Sequence, residues 1–286
     1  MRFSACITTM NRTQELDACL AALWNSSTAP QQIVVSDDSP AVEVQQQNRQ
    51  VVAKYPSTQY LLGPRTGVCA NRNNAVNAIA ETDTDIVAFV DDDICIASDF
   101  ITKTIEQYNR LEPEQQKWTI LTGTSRDDAG NESMPVKLSF RGYFCPAEFP
   151  EAVDLHSAVF PRSLFTKEPW DEQIFFGYED AELCLRAIKR GYQIQYCPEL
   201  HVSDTCAGKS VLAANQTGTM TKSQLYVNAA RLYVGVKRYK YLFPNSLKLA
   251  AFLCIYFPHI TLFLMRKKML HVLPSLIRQS NVATLF

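Results

Sequence analysis

Three consecutive aspartates, Asp91, Asp92 and Asp93, close an apolar run, Ile86-Val87-Ala88-Phe89-Val90. Carboxylates this close repel one another, so the arrangement is costly unless a cation is shared among them. A solvated acidic turn, with Asp93 or Ser98 capping the next helix, would use the same residues. The position favours the cation, because open α/β sheets bind ligands at the carboxyl ends of buried strands. A second acidic strand end, Asp37-Asp38, follows Ile33-Val34-Val35, and Arg65 and Arg72 lie in a later loop and helix start. Carboxylates at such an edge accept from ribose hydroxyls or a base N–H, while arginines and helix amino termini hold phosphate. Hard oxygen ligands favour Mg²⁺ or Mn²⁺ bridging phosphates. Together these groups describe a site for a nucleotide diphosphate. A further acidic pair, Glu179-Asp180, stands among aromatic residues in Trp170-Asp171-Glu172-Gln173-Ile174-Phe175-Phe176-Gly177-Tyr178-Glu179-Asp180. It either complements a helix dipole or presents a general base at a pocket edge, and spacing alone does not decide.

Elements that meet at one sheet edge must position these groups. Phe3 to Thr8 reads as a strand, and Asn11 to Thr13 cap a helix in which Leu16, Cys19, Leu20 and Leu23 recur at helical spacing. Ile33 to Val35 is a second strand, and a Gln- and Val-rich helix runs to about Lys54. Tyr60 to Leu62 is a third strand, Gly63 to Gly67 a loop, and a helix begins near Cys69. Alternating strands and helices predict a mainly parallel sheet. Later come a helix over Phe100 to Leu111, strands at Trp118 to Thr122, Lys137 to Phe144 and Ala158 to Phe160, and a polar excursion from Arg126 to Pro135. A helix over Glu179 to Lys189 is capped by Gly191, and Tyr192 to Tyr196 is a closing strand. Thr205 to Ser223 is a lid or a plain surface loop, with Gly208 and Gly218 as hinges.

The chain has 286 residues, 47% of them hydrophobic, and a formal charge of −1. It can fill a large core, and no overall field attracts nucleic acid. Nine cysteines without a CxxC pair point neither to a disulfide framework nor to a zinc ribbon. They read as reduced core residues in a cytosolic protein. The opening, MRFSACITTMNR, turns polar too early for a secretory signal. Near the end, Leu249 to Met265 is about 25 Å long as a helix, short of about 30 Å of hydrocarbon. Pro258 and His259 interrupt it, and Arg238, Lys240, Lys248, Arg266, Lys267 and Lys268 flank it. It reads either as part of an interfacial helix pair or as a helix buried against the core or in a dimer.

The motifs and their order resemble glycosyltransferase family 2. Thr8-Thr9-Met10-Asn11-Arg12 is similar to its P-T-Y-N-R opening, Val34 to Ser39 to V-V-D-D-G-S, and Gly67 to Asn73 to G-x-x-x-A-R-N. Asp91-Asp92-Asp93 resembles the D-x-D motif and Glu179-Asp180 the E-D motif. The resemblance implies a single GT-A domain over residues 1–205, with a nucleotide-binding half (1–95) and an acceptor-binding half (96–205). A lid and apolar helices would occupy 206–286. It implies inverting transfer of a sugar from a nucleotide-diphosphate donor to the hydroxyl of a glycan or lipid-linked glycan, assisted by Mn²⁺ or Mg²⁺. Asp180 would be the base. Thr9, Asn11, Arg12, Asp37, Asp38, Arg65, Arg72, Asp91 and Asp92 would face the donor, and Trp170, Tyr178 and Glu179 the acceptor. Asp91, Asp93 and His201 would hold the metal, with Asp204 competing with His201.

Asp38 stands where the family has glycine. Gly208-Lys209-Ser210 is no phosphate loop, since Ser203 occupies the place of its first glycine. A sugar-nucleotide nucleotidyltransferase would need a glycine-rich basic loop that Thr8 to Thr13 lacks, and a non-catalytic donor-binding protein would have no use for both Asp93 and Asp180. The expected location is cytoplasmic, with peripheral contact at the inner face of the plasma membrane through residues 247–273, or a homodimer through the same helices.

Overall fold

Strand and helix alternate through the first part of the chain. In the computed structural model, which describes residues 1–127, 129–203 and 221–286, β1 (Phe3–Thr9) leads through α1 (Thr13–Trp24) to β2 (Gln32–Asp37), and α2 (Val42–Val52) leads to β3 (Thr58–Leu62). α3 (Val68–Asn77) precedes β4 (Ile86–Asp91). β1 pairs in parallel with β2 and β4, and β2 with β3. The register sets Thr9 beside Asp37 and Thr8 beside Asp91, so both acidic strand ends flank the end of β1. The chain steps outward from β1 to β3 and then returns to β4 on the other side. Such a reversal opens a crevice at the strands' carboxyl ends.

Four more strands complete the sheet: β5 (Cys95–Ile96), β6 (Thr119–Arg126), β9 (Ala158–Pro161) and β10 (Gln193–Ser203), in the order β3-β2-β1-β4-β9-β6-β10-β5. β9 is antiparallel to both β4 and β6, and β5 to β10. The result is a curled, mainly parallel sheet of GT-A-like form. Side-chain alternation along each strand divides the core. Ala5, Ile7, Ile33, Val35, Ala88 and Val90 pack toward α1 and α4 (Phe100–Asn109), while Cys6, Val34, Val87 and Phe89 pack toward α7 (Glu179–Lys189) and the carboxyl-terminal helices.

The later elements depart from expectation in places. Lys137 to Phe144 is not one strand. It forms a hairpin of β7 (Val136–Leu138) and β8 (Phe144–Pro146), turning at Gly142, whose φ is +75°. β10 continues past Tyr196 to Ser203, with a register shift between Tyr196 and His201 where Pro198 has no N–H to donate. Cys95 is disulfide-bonded, so it is not the reduced core thiol expected. Most of the stretch expected to be a lid, together with Asp204 and Gly208-Lys209-Ser210, lies outside the described residues.

α8 (Lys222–Lys237) begins at a capping box made by Thr221 and Gln224, and it packs against α9 (Ser246–Arg266) and α10 (Leu273–Gln279). α9 is one helix of 21 residues with Pro258 inside, about 31 Å long at ~1.5 Å per residue. It starts before and ends after the apolar run read from the sequence, so it is not too short to span. Only Phe252, Tyr256, Ile260 and Leu264 are buried, a stripe of one residue per turn.

Candidate active site

The three aspartates at the end of β4 point to different partners. Asp91 accepts from Arg72 Nη2 at 3.2 Å and from His156 Nε2 at 3.4 Å. Burial alone would raise its pKa, but Arg72 and His156 outweigh that and hold the carboxyl well below the usual range. Asp92 is 4% exposed and accepts from Thr9 Oγ1 at 2.7 Å and Arg12 Nη1 at 2.9 Å. Burial pushes its pKa up to about 7. Asp93 meets the same Arg12 nitrogen at 2.6 Å. Thr9 and Arg12 therefore orient Asp92 and Asp93, while Arg72 and His156 hold Asp91.

At the end of β2, Asp37 is fully buried. Its oxygens accept from the Ser39 N–H at 2.8 Å, Asn48 Nδ2 at 2.9 Å and the Tyr60 hydroxyl at 2.8 Å. Asp38 is the more accessible of the pair and accepts from the Arg65 N–H at 2.9 Å. Asn11, at φ +59°, donates its N–H to Ser39 Oγ at 2.9 Å. Asn11, Asp38, Arg65 and the β1 end thus border one edge of the crevice.

Arg72, in α3, joins the two sides of the site. It is 3% exposed and donates to Asp91 and, through Nη1, to Glu179 Oε1 at 2.8 Å. Asn71 Oδ1, Arg72 Nε and Glu179 Oε2 are buried here without partners, so a bound group has polar atoms to satisfy. The Glu179–Asp180 pair is presented by a strained turn in which Gly177 has φ +85° and Tyr178 φ +63°. A Cβ on Gly177 would approach Val227 Cγ2 of α8 to 2.8 Å, so only glycine fits without a shift. Asp180 sits in the first turn of α7. Burial pushes its carboxyl up to about 7 and Glu179 adds to the rise, against the Ala181 N–H and Arg72. A carboxyl near neutrality suits a general base.

Not every expected contact faces the crevice. Trp170 is 1% exposed, packs in a cluster with Phe89, Phe160 and Phe165, and backs the Arg72 guanidinium at 5.2 Å. It supports the site from the core. Tyr178 stacks on Phe144 at 4.9 Å. His201 does not join Asp91 and Asp93, and among the described residues no three ligating side chains converge on a metal. The histidine that meets Asp91 is His156, in a 3-10 turn over Leu155–Ser157. A lone histidine in an irregular segment carries no periodic signal, so the sequence did not reveal it. Asn73 was read only as the last residue of the Gly67 to Asn73 motif. Its amide bridges to the Trp170 carbonyl and N–H, each at 2.9 Å, and ties α3 to the segment before Asp180.

Residues 4–141 match the family model described as glycosyl transferase family 2. A search of curated proteins gave no match. Among solved structures, S. aureus TarS aligns at 15% identity with a TM-score of 0.57, over 88% of this chain and 43% of that one. TarS 1-349 in complex with UDP-GlcNAc aligns at 18% identity and TM-score 0.56, over 88% of this chain and 72% of that one. The complex of the same fragment with UDP aligns at 16% and 0.55, over 88% and 71%. The chain spans less than half the length of the first of these TarS chains, and at these identities the likeness is one of fold.

Proposed function

We propose, from the premise that residues 4–141 form a glycosyl transferase family 2 domain, that this protein transfers a sugar from a nucleotide-diphosphate donor to an acceptor hydroxyl with inversion. The observation that carries the reading is Arg72, which bridges Asp91 on the donor side to Glu179 beside Asp180. Asp38 and the β1 end receive the nucleoside, and Arg12, Arg65 and Arg72 surround the diphosphate. Asp180 takes the proton from the acceptor oxygen as that oxygen bonds to the anomeric carbon. The bond from that carbon to the diphosphate oxygen breaks, and the diphosphate leaves with the electron pair.

Asp91 and Asp93 offer hard carboxylate oxygens, and among the described residues no third side-chain ligand joins them. That suits Mg²⁺ or Mn²⁺, which keep water and substrate phosphate in the remaining positions. Bound there, the ion would offset charge on the leaving diphosphate. The TarS complexes contain UDP-GlcNAc and UDP, which makes a uridine donor the first to test. Thermal unfolding of the whole chain with UDP-GlcNAc, with and without Mn²⁺, should show a raised midpoint that depends on the metal, since a ligand of the native state stabilises it. No shift with any sugar nucleotide would refute the reading. We place the protein at the cytoplasmic face of a membrane, supported by the apolar outer face of α9 and the Arg266-Lys267-Lys268 cluster at its end.

A further inference from the structure

Arg231, in α8, is 3% exposed, and among the described residues no carboxylate pairs with it. The other buried arginines have carboxylate or carbonyl partners. Arg72 reaches Asp91 and Glu179, and Arg162 donates to the Ile79 carbonyl. Arg231 instead lies between rings, 4.1 Å from the centre of Tyr143 and 4.9 Å from that of Tyr256. Its Nε is sealed from solvent without a hydrogen-bond partner, and the Tyr256 hydroxyl is its polar neighbour. The turn between β7 and β8 lies over its stem, where a Cβ on Gly142 would come within 3.1 Å of Arg231 Cγ. Ring faces offset only part of the cost of burying a guanidinium, so among the described residues the cluster is short of one anion.

The cluster adjoins the reaction centre. Tyr178, immediately before Glu179 and Asp180, stacks on Phe144, the chain neighbour of Tyr143, and Gly177 packs against Val227, one turn before Arg231 in α8. The Tyr256 hydroxyl donates to the Asn228 carbonyl at 2.7 Å and the Tyr143 hydroxyl meets His259 Nδ1 at 3.2 Å, so the guanidinium supplies the donors for an anion, and its planar fork suits two oxygens of a phosphate. We propose that Arg231, with Tyr143, Tyr178 and Tyr256, forms a subsite for a phosphate ester on the acceptor, beside the hydroxyl that Asp180 deprotonates. This rests on the glycosyl-transfer reading and names the acceptor class.

The test uses the full chain saturated with UDP, which occupies the donor's own phosphate contacts, and follows thermal unfolding with glycerol 1-phosphate or glycerol. Glycerol 1-phosphate should raise the midpoint and glycerol should not. Arg231→Gln should weaken the phosphate effect about ten-fold or more, as expected for a charge-assisted hydrogen bond. Arg231→Lys keeps the buried charge, and with it the fold, and should weaken the effect less. No shift in the unmodified protein, or equal shifts in all three proteins, overturns the proposal. The UDP titration reads the donor site separately, so loss of the UDP shift indicts the glycosyl-transfer reading instead. Vesicles distinguish the sources: retention on phosphatidylglycerol but not phosphatidylcholine, lost in Arg231→Gln, assigns the phosphate to a lipid headgroup. A soluble effect without Arg231-dependent vesicle retention assigns it to a soluble polyol phosphate.

Discussion

Asp180 and Glu179 lie side by side in different electrostatic settings. Arg72 neutralises Glu179, and Asp180 is left with a carboxyl near pH 7 by burial and by Glu179. With Asp180 as the proposed base, a raised pKa means that it is protonated, and so idle, at lower pH. Transfer should therefore fall as pH drops below about 7, which a pH–rate profile checks. Asp180→Asn should lower turnover about 10²- to 10⁴-fold while leaving the UDP-induced shift in thermal unfolding intact. Arg72→Met has a larger structural effect, because it strands a buried carboxylate. A loss of about 3–5 kcal/mol of stability is expected in urea denaturation, where a change under ~1 kcal/mol would mean that Arg72 is dispensable to the fold.

The turn before α7 shows how elements hold the site. Gly177 and Tyr178 both take positive φ, and α8 leaves no room for a side chain at 177. Gly177→Ala should destabilise by about 1–3 kcal/mol and reduce turnover more than UDP affinity, measured by calorimetry, because it moves the base and not the donor edge. α8 is tied to this region by charge as well as packing. Lys237 contacts Asp171 and Glu182, each at 2.6 Å, and Glu182 also pairs with Arg186 at 2.7 Å. The sequence showed the periodicity of α7 plainly. It gave no comparable signal for α8, whose apolar, charged and aromatic residues face partners on several sides.

For the whole molecule, the open question is what covers α9. Leu247, Ile255, Leu262, Phe263 and Met265 remain exposed along a helix whose most apolar window is 22% buried. Basic residues at its end favour an anionic surface, each adding about 1 kcal/mol near such a membrane. The protein should co-sediment with vesicles containing phosphatidylglycerol, and Ile255→Glu with Leu262→Glu should abolish this without loss of the folded state. A dimer by light scattering that the same pair of changes dissolves, with no vesicle binding, would assign the face to a second copy.

The sequence by itself determined the strand and helix order up to β4, the acidic strand ends and the acidic pair of α7, because these depend on local periodicity and on short runs of residue types. Tertiary structure decided which groups meet. The register of β1 with both β2 and β4 set Asp37 and Asp91 on either side of one strand end. Packing then turned Asp37 and Trp170 inward and brought His156 to Asp91 from an irregular segment. It also left Arg231 among tyrosines, with no carboxylate paired to it among the described residues. These outcomes depend on pairings between residues far apart in the chain, and the free energy of burying or matching a charge exists only once those partners are in place.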